Sequence, residues 1–520
     1  MLRKILSLTL CLLLVCGMAL PVASAAAEEK SYPVVYITGQ GSNIFSEKGN
    51  FNSEVYWPTS EDLGAIVKEA LAPCLTELAK ALVTGDYDDY CDALYASIHP
   101  IYEDIVLAPD GTPKDNSGRG ENPNVVNLDY SRFSGGRAIF PYDWRLSPES
   151  SADELAKYID TVLAKTGAEK VDIIARCLGG NVAQAYIQKY ADASEKVNDL
   201  ILFIPSTEGI NMIGALFSGQ IKIDAAALDE YAEEFFKYEA VIEDTAIRDF
   251  LVVMITVLEQ GKVLGMGTDL LQDLIDEIKD NLVPRLIRRS YGSFPSFWAM
   301  VPAEYLDAAV EFVYNTPELK QEYAGTIEKA YSFRDNVMVK TRDCVKELSE
   351  EIDISIISKY NIPLMPVFPD CYNTGDGTAE TYLTSFGATA ADINKTLSAD
   401  YISAMSEEDK KFLSADEKID ASTCVLPEKT WFVKNSYHDH FPENIDKLME
   451  AILTTEDMTV FTNPDYPQFL DAGEGDDILV PVTEKDPEVP EDGSREGMFD
   501  MLFRFVKSVI QLIIKLFSKM

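Results

Sequence analysis

Positive charge is scarce in this sequence. Against 86 aspartates and glutamates stand 45 lysines and arginines, a formal net charge of −41. A surface of that sign repels phosphate backbones, which argues against nucleic acid as a partner. Histidine is scarcer still: 520 residues contain three, and any step that needs an imidazole must use His99, His438 or His440. The acidic run Asp86–Asp92 lacks the ligand spacing of a calcium loop and reads as a solvated turn. Strand signals are absent from Gly209 to about Glu350. An uninterrupted apolar run of membrane-spanning length is missing too, because the apolar segments at the two ends are either short or broken by charges.

The chain that remains is 47% hydrophobic, enough for a substantial core. Residues 1–25 read as a secretory signal: Arg3 and Lys4, the apolar run Ile5–Leu20, then the small-residue exit Ala23-Ser24-Ala25. The expected location is therefore secreted or extracellular. Export permits disulfides, and Cys74–Cys91 and Cys371–Cys424 are plausible pairs by order, leaving Cys177 and Cys344 over.

Cys177 is the residue around which the rest is organised. Val171–Ile174 is a β-branched run suited to a buried strand, and Leu178–Tyr190 reads as a helix opened by Gly179 and Gly180. Between them, Ala175-Arg176-Cys177-Leu178-Gly179 has the layout of a nucleophile elbow, with Ala for the first Gly and Cys for Ser. A side chain on so sharp a turn needs small neighbours two positions away. It also sits at the positive end of a helix, where a thiolate is favoured. The bland alternative is a small buried hydrophobe.

The surrounding pattern alternates strand and helix. Tyr32–Ile37 reads as a first strand ending in the Gly-rich turn Gly39-Gln40-Gly41. Arg137–Phe140 is a strand running into a loop that carries Asp143, Trp144 and Arg145. Ser151–Lys165 is an amphipathic helix with Ser151 as a candidate cap, and Asp199–Ile204 is another buried strand. Such alternation predicts an α/β fold with a mostly parallel sheet and helices on both faces. Residues 209–350 read as helical, for example over Ala226–Ile242, Asp249–Gln260 and Thr268–Leu282, and form a cap inserted between late strands. Its Met, Phe and Trp residues suit either an acyl channel or ordinary packing. Strands resume at Asp353–Ser358, Pro363–Phe368 and Thr430–Lys434, and Asn444–Leu453 is a helix.

The α/β-hydrolase order is nucleophile, acid, histidine. Cys177, Asp376 and His438 satisfy it, each after an expected strand, and His438 is preferred to His440 because it lies nearer the strand end. Backbone N–H groups of Gln40 and Leu178 are the oxyanion candidates. An exposed polar loop or weak metal binding is the alternative for His438-Asp439-His440. The proposed chemistry uses no cofactor and no metal.

Several stretches together resemble the lecithin:cholesterol acyltransferase family of α/β-hydrolases. They are Pro33–Asn43, Pro141-Tyr142-Asp143-Trp144-Arg145, Cys177–Gly180, Phe294–Pro302 and Gly375-Asp376-Gly377-Thr378. The resemblance implies an α/β-hydrolase fold and acyl transfer from lipid esters to water or to an alcohol. It departs from the family at Cys177, where Ser is expected, and at Ala379-Glu380, where Val-Pro is expected. A Cys–His–Asp set remains chemically competent through a thioester.

The expected organisation is a signal peptide at 1–25, an α/β-hydrolase core at 26–208 and 351–458, and the helical cap at 209–350. An acidic, Pro-rich linker follows at 459–497, then an amphipathic helix at 498–520. In that last segment Asp500, Arg504, Lys507, Gln511, Lys515 and Ser518 share one face and apolar residues the other, which suits a membrane surface. The expected activity is that of an exported lipase-like esterase or acyltransferase acting on lipid or other esters. The alternatives are a catalytically inactive lipid-binding or surface protein of the same fold, and a cysteine peptidase or amidase, to which no specificity feature points.

Overall fold

The computed structural model describes residues 31–41, 43–57, 74–122, 124–222, 268–366, 368–369, 371–473 and 478–484. The expected signal peptide, the helices expected over Ala226–Ile242 and Asp249–Gln260, and the amphipathic tail lie outside these residues, as do residues 474–477 and 485–497 of the linker.

The sheet forms from short apolar strands: β1 (Val34–Ile37), β2 (Arg137–Ile139), β3 (Val171–Arg176), β4 (Val197–Phe203), β5 (Asp353–Tyr360), β6 (Thr430–Lys434), β7 (Phe469–Asp471) and β8 (Val480–Pro481). Their spatial order is β8-β7-β6-β5-β4-β3-β1-β2. All neighbours pair in parallel except β7 and β8. Parallel strands covered on both faces must be largely apolar on both, and the central strands are, with polar residues placed mainly towards their ends. In β3, Ile173 and Ala175 belong to one core and Ile174 to the other. The α/β-hydrolase arrangement expected from the sequence is the one the chain adopts.

Helices cover both faces. α1 (Cys74–Thr84) and α2 (Asp88–Ile98) are separate helices. α3 (Pro148–Thr166) begins earlier than expected: Ser147, not Ser151, is the cap, its hydroxyl accepting from the Ser150 N–H, with Pro148 in the first turn. Ser151 is buried inside the helix. α4 (Leu178–Lys189) follows Cys177 directly.

β4 and β5 are neighbours, so residues 204–352 form an excursion between adjacent strands. Its described residues contain no strand; they form α5 (Asn211–Phe217), α6 (Thr268–Arg288), α7 (Ala303–Val313), α8 (Ala324–Asn336), α9 (Thr341–Leu348) and shorter turns. The excursion docks beside the elbow, where Asn181 of α4 donates to the Ala299 carbonyl (3.0 Å); within the excursion the Ile210 N–H donates to the Met300 carbonyl (2.9 Å). Phe294 and Trp298 are fully buried, so these aromatics are packing core.

Three expectations need correction. Pro363–Phe368 is not a core strand; only Ile362–Pro363 pairs, antiparallel with Thr374–Gly375. Asn361 turns the chain at φ 72°, and Pro363 has no N–H for a ladder. The sheet also does not end before 459: Phe469–Asp471 joins the parallel sheet inside the stretch expected to be linker. Finally, neither expected disulfide forms, since none of Cys74, Cys91, Cys177, Cys344, Cys371 and Cys424 is disulfide-bonded. Cys74 instead faces the Ser97 hydroxyl at 3.6 Å.

Candidate active site

Cys177 stands at the carboxyl end of β3 with φ 50° and ψ −121°, a conformation that non-glycine residues rarely hold. Three backbone bonds fix it there: its N–H donates to Phe203 O (3.0 Å), and its carbonyl accepts from Gly180 N (2.8 Å) and Ser206 N (3.3 Å). The requirement for small neighbours is physical. A Cβ on Gly179 would lie 2.5 Å from the Ile37 carbonyl oxygen, so α4 can approach β1 only because none is there. A Cβ on Gly39 would meet Cys177 Cβ at 3.1 Å and Sγ at 3.8 Å. The turn after β1 therefore runs directly against the thiol, with Gln40 and Gly41 (φ 103°) next along it. The Gln40 side-chain Nε2 is buried with no hydrogen-bond partner, and Leu178, the other oxyanion candidate, is the first residue of α4.

Asp376 and His438 come together across 62 residues of sequence, Asp376 Oδ2 to His438 Nδ1 at 2.7 Å. The His438 N–H also donates to the Asp376 carbonyl (2.8 Å). The other carboxylate oxygen of Asp376 accepts from the Thr378 (3.0 Å) and Ala379 (2.8 Å) N–H groups. Burial pushes the Asp376 carboxyl up, but His438, the Ala379 N–H and Lys359 outweigh it and hold the group below its ordinary value. Burial pushes His438 down, yet Asp376 and then Cys177 raise it well above the ordinary histidine value. His438 Nε2 is buried and makes no well-formed hydrogen bond; Cys177 is the group beyond Asp376 with which the ring interacts. Nδ1 is thus anchored, and Nε2 is left to serve the thiol.

Of the remaining histidines, His440 makes its ring contact with Ser436 (3.5 Å), and His99 stacks on Tyr95. Among the described residues no group of three or more His, Cys, Asp or Glu is arranged to hold a metal ion.

Asp143, Trp144 and Arg145 form a buried support. Arg145 donates to Asp143 through Nε (2.9 Å) and Nη2 (2.6 Å), and to the Ile105 carbonyl and the Ser117 hydroxyl. Trp144 packs edge-on against Phe294 of the inserted region, with centroids 5.5 Å apart. The neighbour missed by sequence reasoning is Tyr142, whose hydroxyl donates to Thr38 O (2.7 Å) and so ties down the turn beside Cys177. Burial, with Cys177 close by, pushes the Tyr142 pKa far up and keeps it a donor.

Three further residues were also missed. Arg176 pairs with Asp439 and lies over the Phe441 ring (4.5 Å), joining the elbow to the histidine loop. Lys359 is buried beneath that loop. Glu380, where the family pattern expects Pro, is fully buried, and its carboxylate accepts from the Asn211 N–H (3.4 Å). Burial raises it to about 8, so the acid is largely neutral at pH 7. Ala379 still supplies an N–H to Asp376, so this departure leaves the acid's support intact.

Residues 124–236 match the family model for lecithin:cholesterol acyltransferase. A comparison with curated proteins finds no match. Among solved structures the chain is similar to one in "The crystal structure of Tle4-Tli4 complex", at 14% identity and TM-score 0.18. That similarity covers 36% of this chain and 48% of the other, so it spans about half of that protein's length; at this TM-score it bears on neither fold nor chemistry.

Proposed function

We propose, on the premise that residues 124–236 make this a lecithin:cholesterol acyltransferase-like protein, that it cleaves or transfers the acyl group of lipid or other carboxylic esters through Cys177, His438 and Asp376. One observation carries the reading. An Asp376-anchored histidine has its second nitrogen free of other partners at a strained Cys elbow.

His438 Nε2 takes the Cys177 proton, and the thiolate attacks the ester carbonyl carbon, forming a C–S bond as the carbonyl π pair moves to oxygen. The Gln40 and Leu178 N–H groups hold that oxyanion. Collapse breaks the C–O bond, and His438 returns its proton to the departing alkoxide. A thioester remains. Water or an acceptor alcohol, deprotonated by His438, attacks it next, and the thiolate leaves. Throughout, Asp376 keeps the Nδ1 proton and balances the imidazolium charge.

Cys177 is 6% exposed, which favours a second reading: an inactive lipid-binding protein that kept the fold. A thiol-reactive ester probe separates the two. Labelling of wild type but not of Cys177→Ala, with hydrolysis of short- or long-chain esters, supports catalysis. A silent Cys177 in a folded protein that still binds lipid favours the second.

Export, and attachment of residues 498–520 to a membrane surface on the outer face of the cell, complete the proposal. The alternation of charged and apolar residues in that segment supports it. Liposome flotation is expected to retain the full chain and to lose a variant lacking 498–520; equal flotation of both would contradict the anchor.

A further inference from the structure

A buried lysine in the wall of the sheet has no role in the chemistry above. Lys359 is the next-to-last residue of β5, the strand between those that carry Phe203 and Lys434, and its side chain is fully buried. Nothing about a strand interior asks for an ammonium group there; an isolated buried charge is costly unless it is paired and hydrogen-bonded. Its Nζ donates to three main-chain carbonyls of one loop: Tyr437 (2.6 Å), His440 (2.7 Å) and His438 (3.2 Å). It also lies over the rings of Phe203 (5.3 Å) and Phe441 (5.4 Å). The acid loop is joined to the same residue, since the Thr381 hydroxyl donates to the Lys359 carbonyl (2.9 Å).

From this geometry we infer that Lys359 is a positioning residue for His438: it gathers the backbone of residues 437–440 around one ammonium and so sets where the imidazole points between Asp376 and Cys177. The role rests on the triad reading above. Three carbonyls need three N–H donors, and only the charged form of lysine has three. The charged groups acting on Lys359 are Asp376 and Asp439, which favour the ammonium, and Arg176, which opposes it. Burial outweighs them and brings the group down to about 7. Above that pH the amine keeps two donors, and one carbonyl of the loop is released.

The test uses the full chain carrying 13C-labelled histidine, with the three histidine signals assigned by single His→Gln variants. Lys359→Met removes every donor; Lys359→Gln keeps two and no charge. In Lys359→Met the His438 signal is expected to broaden and to titrate closer to the ordinary histidine value. Ester turnover is expected to show kcat lower by about 10- to 100-fold, as for a misaligned base, with KM changed less than about threefold. Lys359→Gln falls between the two. In wild type the His438 signal takes an additional step near pH 7, and both variants lack it.

A lysine with only a structural role would lower the unfolding temperature and leave the His438 signal and kcat of the folded variants unchanged; that result overturns the inference. Should Lys359→Met fail to fold, Lys359→Gln decides. Should neither fold, absence of the pH step in wild type overturns it. If wild type turns over no ester while the His438 signal behaves as expected, the functional proposal falls and the positioning role stands.

Discussion

Two aspartates at opposite ends of the same sheet are almost equally buried and have opposite fates. Asp376, beyond the carboxyl end of β5, is 1% exposed; Asp172, near the amino end of β3, is 2% exposed. Asp376 meets a histidine and two backbone N–H groups, with Lys359 close by, and stays below the ordinary carboxylate value. Asp172 accepts from Asn198 (3.1 Å) and the Asp199 N–H (3.3 Å), which are not enough to offset burial, and rises to about 7. Its neighbour Asp199 rises to about 8, through burial first and then the charges of Asp172 and Asp353. Lys429 is engaged by Asp353 at 2.8 Å. Depth within the protein therefore does not set the charge of these acids. The partners set it, and the ionised set is assembled at the end where α/β sheets place their chemistry.

The largest effect expected from breaking this contrast is at the thiol. Cys177→Ala is expected to lower kcat by about 10^4- to 10^6-fold, because it removes the nucleophile; ester hydrolysis with matched unfolding curves checks it. Asp376→Asn comes next. It keeps the shape but loses the charge and the tautomer control, so kcat is expected to fall by about 10^3- to 10^4-fold. The His438 pKa is expected to fall too, because the carboxylate that raises it is gone; a histidine NMR titration reads this directly.

The smallest effect lies at the other end. The Asp172 pKa is raised by folding, from about 3.9 in the unfolded chain to about 7. Between those values the folded state holds a proton the unfolded state has released, so stability falls as pH rises through this window. Asp172→Asn removes the burden. At pH 8 the variant is expected to be more stable than wild type by on the order of 2–4 kcal/mol, and at pH 4 the difference should vanish. Denaturant unfolding at both pH values decides it, and an unchanged pH dependence would mean that Asp172 is ionised in the fold.

What the sequence revealed, and what it hid, follows from the same physics. The elbow was legible because a β-branched run, a Cys and two glycines are a local pattern, and steric need confines that pattern to few geometries. Asp376 and His438 were legible by order, helped by the scarcity of histidine. The Pro141–Arg145 motif pointed to the right place, but its role as buried support, and the tie from Tyr142 to Thr38, depend on partners distant in sequence. Lys359 did leave a trace, a cation near the end of the isoleucine-rich strand Asp353–Tyr360, yet its three carbonyls lie 78 to 81 residues away. β7 was read as linker because three residues between proline- and acid-rich stretches carry no periodicity; pairing with β6 alone makes them a strand. The disulfide expectation failed because order along the chain says nothing of where two side chains point.

The central claim is that the Cys177 sulfur forms a bond to an acyl group. Intact-protein mass spectrometry after brief exposure to an activated ester, followed by peptide mapping, tests it directly. The account predicts a single acyl adduct on the peptide containing Cys177, removed by neutral hydroxylamine as a thioester should be and absent from Cys177→Ala. Ester turnover with no adduct at this residue, or an adduct that persists in Cys177→Ala, would contradict it.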